Sequence, residues 1–182
     1  MALTRRLARM AARTAAFALC IASTAEAPAP IACHVPPLNP LPEISSGYGP
    51  RKSGWHAGID LPAPIGTPVQ AVGAGIITRA SGHPTFGRVV LQRLGSGRQS
   101  GLGIYAVYAH LEAFAVRSGQ LVAPGAVIGA VGNSGRSSGP HLHFSILLDV
   151  PDAKLRAHGP LGVRERDYAV DPVKVAGCTS KR

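Results

Sequence analysis

The sequence predicts an all-β domain of antiparallel strands, and three observations carry that prediction. Gly and Pro number 22 and 16 among 182 residues while aromatics are only 5%, a mixture that suits many tight turns better than a helical bundle. Short runs rich in Val, Ile and Leu recur between those turn residues. Nothing in the body of the chain sustains a helical apolar period. Hydrophobic residues reach 46% and charged ones only 15%, so the chain can bury a core and does not have a disordered composition.

Six strands are expected, at residues 68–72, 75–80, 88–93, 104–111, 127–131 and 142–148. Residues 104–110 partly alternate between apolar and polar, which places Tyr108 and His110 on one face. Val89, Val90 and Leu91 are continuously apolar, which implies burial on both faces of their strand. Residues 28–43 are Pro-rich and aperiodic, an extended lead-in to a domain at 44–178. Within that domain, residues 151–167 are charged and turn-rich and read as an inserted surface loop. Residues 179–182 form a tail.

The N-terminus has the pattern of a secretory signal over residues 1–27. Arg5, Arg6, Arg9 and Arg13 make a basic start, residues 14–25 are apolar and small, and cleavage sites follow at Ala25 or Ala27. The apolar stretch falls short of the ~20 residues that span a bilayer. Export without stable membrane insertion after cleavage is therefore expected. An oxidising compartment would let Cys33 and Cys178 form a disulfide between the two ends of the mature chain. The competing reading is two separate thiols, or one that pairs with another molecule.

The formal net charge is +10, with four of those positive charges in the signal segment. The remaining charges are scattered, with no basic helix and no basic run interleaved with aromatics, which argues against nucleic acid as a partner. An anionic polymer suits the same charge. Nothing in the sequence demands a dimer, and a monomer is expected.

Three short motifs carry metal or acid–base chemistry. In His56-Ala57-Gly58-Ile59-Asp60, Gly58 and the prolines that follow disfavour a helix. On a straight strand His56 and Asp60 would stand ~13 Å apart, so the chain must bend at Gly58 for both to reach one ion. In His141-Leu142-His143, the two imidazoles of a strand point to one face while Leu142 turns into the core. Tyr108-Ala109-His110-Leu111 adds a further imidazole at the end of the most strand-like segment. His34, His83 and His158 match no motif and read as surface or loop residues, with His83 at a groove rim.

Together with Gly47-Tyr48-Gly49-Pro50-Arg51, the run from Gly135 to Phe144 and Val170-Asp171-Pro172, these motifs resemble the lysostaphin/LytM-type metallopeptidases, zinc endopeptidases that cut peptide bonds in bacterial peptidoglycan. The resemblance runs in order through most of the mature chain. It implies an antiparallel β-sandwich or sheet with a groove walled by loops, and one Zn²⁺ ion on His56, Asp60 and His143. It also implies a catalytic pair, His110 and His141, that does not ligate metal. Peptidoglycan would be the partner, in the periplasm or outside the cell of a bacterium. The alternative is a non-catalytic envelope protein of the same fold that binds the wall or activates another hydrolase. One departure stands out: where the family often has Glu directly after the His-Leu-His-Phe run, this chain has Ser145.

Overall fold

A computed structural model describes residues 33–52, 54–95, 102–151, 164–175 and 178–179. The expected signal peptide, residues 28–32, most of the 151–167 insert, His158 and the last three residues lie outside the described residues. Among the described residues the regular secondary structure is strand, apart from two 3-10 turns at Glu165–Asp167 and Pro172–Lys174. No helix among them is long and apolar enough to cross a membrane.

A two-stranded hairpin, β1 (Gly49–Arg51) and β2 (Gly54–His56), stands apart from one large antiparallel sheet. The spine of that sheet runs β11 (Ala169–Val170), β10 (His141–Pro151), β7 (Leu102–Phe114), β6 (Gly87–Leu94), β5 (Gly75–His83) and β8 (Leu121–Val122). Two short strands extend it: β3 (Ile59–Pro62) pairs with β10, and β4 (Pro68–Gln70) pairs with β9 (Val127–Val131), which pairs with β7. All six expected strands are present, several of them longer than expected. The strands of two to four residues at 49–62, 121–122 and 169–170 carried no periodic signal.

Alternation along β10 sets the two faces of the sheet. Leu142, Phe144 and Ile146 face one apolar cluster with Leu38, Ile59, Leu61, Val90 and Tyr108. Leu147 and Val150 face a second, with Val89, Leu91, Tyr105, Val107 and Ala109. The split of Val90 from Val89 and Leu91 between clusters meets the expectation of burial on both faces. Each large apolar side chain so buried contributes about 1.5–3 kcal/mol of transfer free energy. Tyr108 is fully buried, and its hydroxyl donates to Gln92 Oε1 at 2.6 Å while accepting from the Val72 amide at 3.0 Å.

The Pro-rich lead-in is anchored rather than trailing. Leu38 is fully buried in the first cluster, and the Pro37 carbonyl accepts from the Gln70 amide at 2.9 Å. Cys33 and Cys178 are joined in a disulfide across 145 residues of sequence, with Cα atoms 4.7 Å apart, and both are buried in that cluster. A link closing so long a loop removes conformational freedom mainly from the unfolded chain.

Candidate metal centre and groove

The candidate site lies on the face of β10 that carries His141, His143 and Ser145, opposite Leu142 and Phe144. β3 runs antiparallel beside it with Asp60 directly across from His143. On the other side of β10, Ala109 of β7 is the partner of His143. Three strands far apart in sequence thereby meet at one level.

His56 ends β2 and Asp60 sits in β3, so the chain does turn between them, at Ala57 and Gly58. The need for glycine there is one of space. A Cβ on Gly58 would collide with the Phe144 carbonyl oxygen and would stand 2.9 Å from both His143 Cε1 and Ser145 Cβ. Gly58 thus lets the turn lie directly on the strand that carries His143.

His110 shows where alternation fails. Tyr108 and Leu111 both belong to the first cluster and Ala109 to the second. One extra residue therefore interrupts β7, and the register with β6 shifts between Tyr108 and Leu111. The expectation that Tyr108 and His110 share a face is corrected: this β-bulge turns His110 into the groove instead. His110 has a φ of +61°, a left-handed conformation that a non-glycine residue holds only under constraint from its surroundings. Its amide donates to the Phe86 carbonyl and its Nδ1–H to the Ser134 carbonyl, both at 2.8 Å. Gly135, with φ +73°, packs so closely on Gly87 that a side chain would not fit, and this keeps Ser134 beneath the ring.

A carbonyl oxygen can only accept, so it fixes which ring nitrogen carries the proton. His56 donates Nδ1–H to the Gly47 carbonyl at 2.8 Å, and His141 donates Nδ1–H to the Gly139 carbonyl at 2.8 Å. With His110 they turn three Nε2 lone pairs inward. His143 is oriented the other way: its Nε2 meets Glu165 Oε1 at 3.2 Å and its Nδ1 points inward.

His56 Nε2, Asp60 Oδ1 and His143 Nδ1 form a near-equilateral triangle, with sides of 3.0, 3.1 and 3.1 Å. Ligand atoms on a tetrahedral zinc, at bonds of ~2.0–2.1 Å, are ~3.3 Å apart. The three residues therefore make a candidate metal-binding group whose donor set and spacing fit such an ion. His141 Nε2 stands 3.6 Å from Asp60 Oδ1, and the His110 and His141 rings are 4.8 Å apart. All five side chains singled out in the sequence converge. Arg51 ion-pairs with Asp60 Oδ2 at 3.0 Å and touches the His56 ring.

Charge in the metal-free site is strongly coupled. Burial works against ionising Asp60, yet hydrogen bonds and charge from His143 and His56 hold its carboxyl far below the usual range. Burial likewise opposes charging His143, but Glu165 and Asp60 outweigh it and raise the ring to about 9. His110 is lowered, chiefly by burial and further by His141 and His143, against smaller opposing effects of the Ser134 carbonyl and Asp60.

Around these groups is a groove of ≈ 530 Å³. The β1–β2 hairpin supplies one wall through Trp55, residues 85 and 86 another, residues 136–138 a third and the turn at 164–166 a fourth. Trp55 is 40% exposed, packs edge-on against Tyr48, and carries the Arg166 guanidinium 5.3 Å above its ring. Arg51, Arg136, Arg164 and Arg166 give the groove a cationic rim.

The reading of residues 151–167 as a surface loop is corrected at its end. Glu165 turns inward, its side chain only 9% exposed, and binds both His143 and the Ser145 hydroxyl. Sequence reasoning missed it, because a glutamate in a charged, patternless stretch gives no sign of burial. The unusual Ser145 was the one available clue. His83 is not a groove residue. Its Nδ1 accepts from the amides of Thr85 and Phe86 at 3.1 Å and so shapes the β5–β6 turn. Phe86 in turn lies against the His143 ring.

The sheet domain thus carries a candidate His/Asp metal-binding group in an open groove, and comparison with known proteins gives the family. Peptidase family M23 matches residues 54–153, and the chain belongs to it. It is 43% identical over 112 residues to the DD-carboxypeptidase/endopeptidase Mpg of Neisseria meningitidis, covering 58% of this chain and 24% of that protein. It is 35% identical over 119 residues to the peptidoglycan DD-endopeptidase ShyA of Vibrio cholerae, covering 62% and 26%. The chain thus spans about a quarter of the curated relatives it matches. Among solved structures, the catalytic domain of the antimicrobial peptidase lysostaphin from Staphylococcus simulans superposes with a TM-score of 0.60 at 28% identity, covering 74% of this chain and 91% of that one.

Proposed function

We propose that this protein is a zinc-dependent endopeptidase that hydrolyses peptide cross-links of bacterial peptidoglycan after export to the cell envelope. The observation that carries the reading is the convergence of His56, Asp60 and His143 on one point, with His110 and His141 beside it. In this reading His56 Nε2, Asp60 Oδ1 and His143 Nδ1 hold the ion, and three protein ligands leave a position open, as catalytic sites do. A zinc ion so held supplies Lewis acidity toward the scissile carbonyl and brings the pKa of water down to ~7.

The chain's own residues do the rest. His110 and His141 present Nε2 lone pairs to the groove, suited to taking the proton of the attacking water. Once protonated, the same nitrogens donate to the developing oxyanion and return a proton to the leaving amine. The backbone carbonyls of Ser134 and Gly139 hold each ring in the tautomer this requires. Burial lowers His110 and keeps it neutral at neutral pH. The arginine rim attracts an anionic wall polymer and steers its peptides to the groove.

The names of Mpg and ShyA support peptidase chemistry, and that of ShyA supports the wall as substrate. The non-catalytic alternative would fit a chain missing a ligand or a catalytic histidine, and this one has the complete set. Metal analysis of the purified protein, together with digestion of isolated sacculi, tests the proposal. It expects about one zinc per chain and release of soluble fragments, both lost in His143→Ala. Full activity in that variant would overturn it.

A further inference from the structure

Three of the four groove histidines rest their outward nitrogen on a backbone carbonyl: His56 on Gly47, His110 on Ser134 and His141 on Gly139. His143 differs. Its outward Nε2 lies on a carboxylate, Glu165 Oε1, at 3.2 Å. The same oxygen receives the hydroxyl of Ser145, the next residue along on the same face of β10. Ser145 is fully buried and His143 is 4% exposed. A carboxylate taken so far out of water is costly unless charge and hydrogen bonds compensate it. Here both of its hydrogen-bond partners among the described residues belong to β10, the strand that carries His143.

We propose that Glu165 is a positioning residue of the metal site, its carboxylate anchored by Ser145 so that it holds His143 Nε2–H and directs the Nδ1 lone pair to the ion. The inference rests on the metal assignment made above. A carboxylate is a stronger acceptor than a carbonyl, so it fixes the ring plane more firmly and makes the opposite nitrogen a better donor to metal. Glu165 is not a fourth ligand, because it meets the ring nitrogen that faces away from His56 and Asp60.

The arrangement gives a reason for Ser145. Position 145 shares a face with His143, so a carboxylate placed there could reach the same edge of the ring. In this chain the carboxylate arrives from a separate segment, and a small hydroxyl leaves room for it and donates to it. The same turn places Arg164 and Arg166 in the groove wall. Glu165 therefore joins a wall of the groove to the metal site.

Zinc affinity measured by competition with a chromophoric chelator tests this without reference to activity. Glu165→Ala should weaken zinc binding on the order of 10- to 100-fold. Glu165→Gln should lose less, because its amide oxygen can still accept from Nε2–H. The double variant Ser145→Glu/Glu165→Ala should regain most of the affinity by returning a carboxylate from β10. Affinity of Glu165→Ala within about twofold of the wild type, well short of the loss typical for such partners, would overturn the proposal, even with a lowered Tm. So would a double variant no better than Glu165→Ala. If Glu165→Ala does not fold, Glu165→Gln and the double variant carry the comparison. A wild-type chain that binds no zinc would instead overturn the metal assignment itself.

Discussion

His56 Nε2 and His143 Nδ1 stand 3.0 Å apart although 87 residues separate them in sequence. Two different devices bring them together. β3 pairs with β10 so that Asp60 lies directly across from His143, and the turn at Gly58 folds β2 back over that pair. The site is therefore a product of strand register, and changes that disturb register should act on metal binding as strongly as changes to the ligands.

Gly58→Ala is the clearest case. The added methyl meets the Phe144 carbonyl and the His143 ring, and neither backbone nor a buried ring yields cheaply. Overpacking of this kind costs about 1–3 kcal/mol. The variant should lose that much stability in a denaturant titration and should also bind zinc more weakly than the wild type.

His110→Ala should keep its zinc, because the ring is not one of the three atoms of the triangle, and should lower kcat by about 10²–10⁴. The pH profile gives a second check. His110 acts as a base when neutral, and its pKa is lowered from 6.5. The acidic limb of kcat/KM should therefore have its midpoint below 6.5, with activity falling only as pH drops through that lowered value. A bound cation shifts it in the same direction.

Metal binding should release a proton. In the metal-free protein His143 is raised to about 9, so at pH 7.5 the ring is charged and must lose a proton to offer Nδ1. Calorimetric titration with zinc in buffers of different ionisation enthalpy should report about one proton released per ion. The sign for metal-free stability follows: His143 contributes in full below its unfolded value of 6.5, and that contribution is lost as pH rises through about 9.

Much of this was legible in the sequence, and the limits have physical causes. The antiparallel architecture followed from turn residues and short apolar runs, and His141 and His143 could be placed on one face because strand alternation holds from His141 to Leu147. It failed at His110, where a bulge inserts one residue, because no local signal distinguishes a bulged strand from a regular one. The strands around His56 and Asp60 are only three or four residues long, too short for periodicity; β3 is held by the longer β10 and β2 by the equally short β1. Glu165 was illegible for a similar reason. Its burial depends on His143 and Ser145, some 20 residues away in sequence, and nothing in its own neighbourhood announces that.

The central claim is that the His56–Asp60–His143 triangle holds a catalytic metal directed at wall peptides. The most direct test is mass spectrometry of muropeptides after digestion of purified peptidoglycan, with and without a chelator and with His143→Ala in parallel. Cross-linked muropeptides should be converted to uncross-linked ones by the wild type alone, with conversion abolished by the chelator and restored by zinc. Conversion that persists in the chelator or in His143→Ala, or intact cross-links after digestion by the zinc-loaded wild type, would contradict the account.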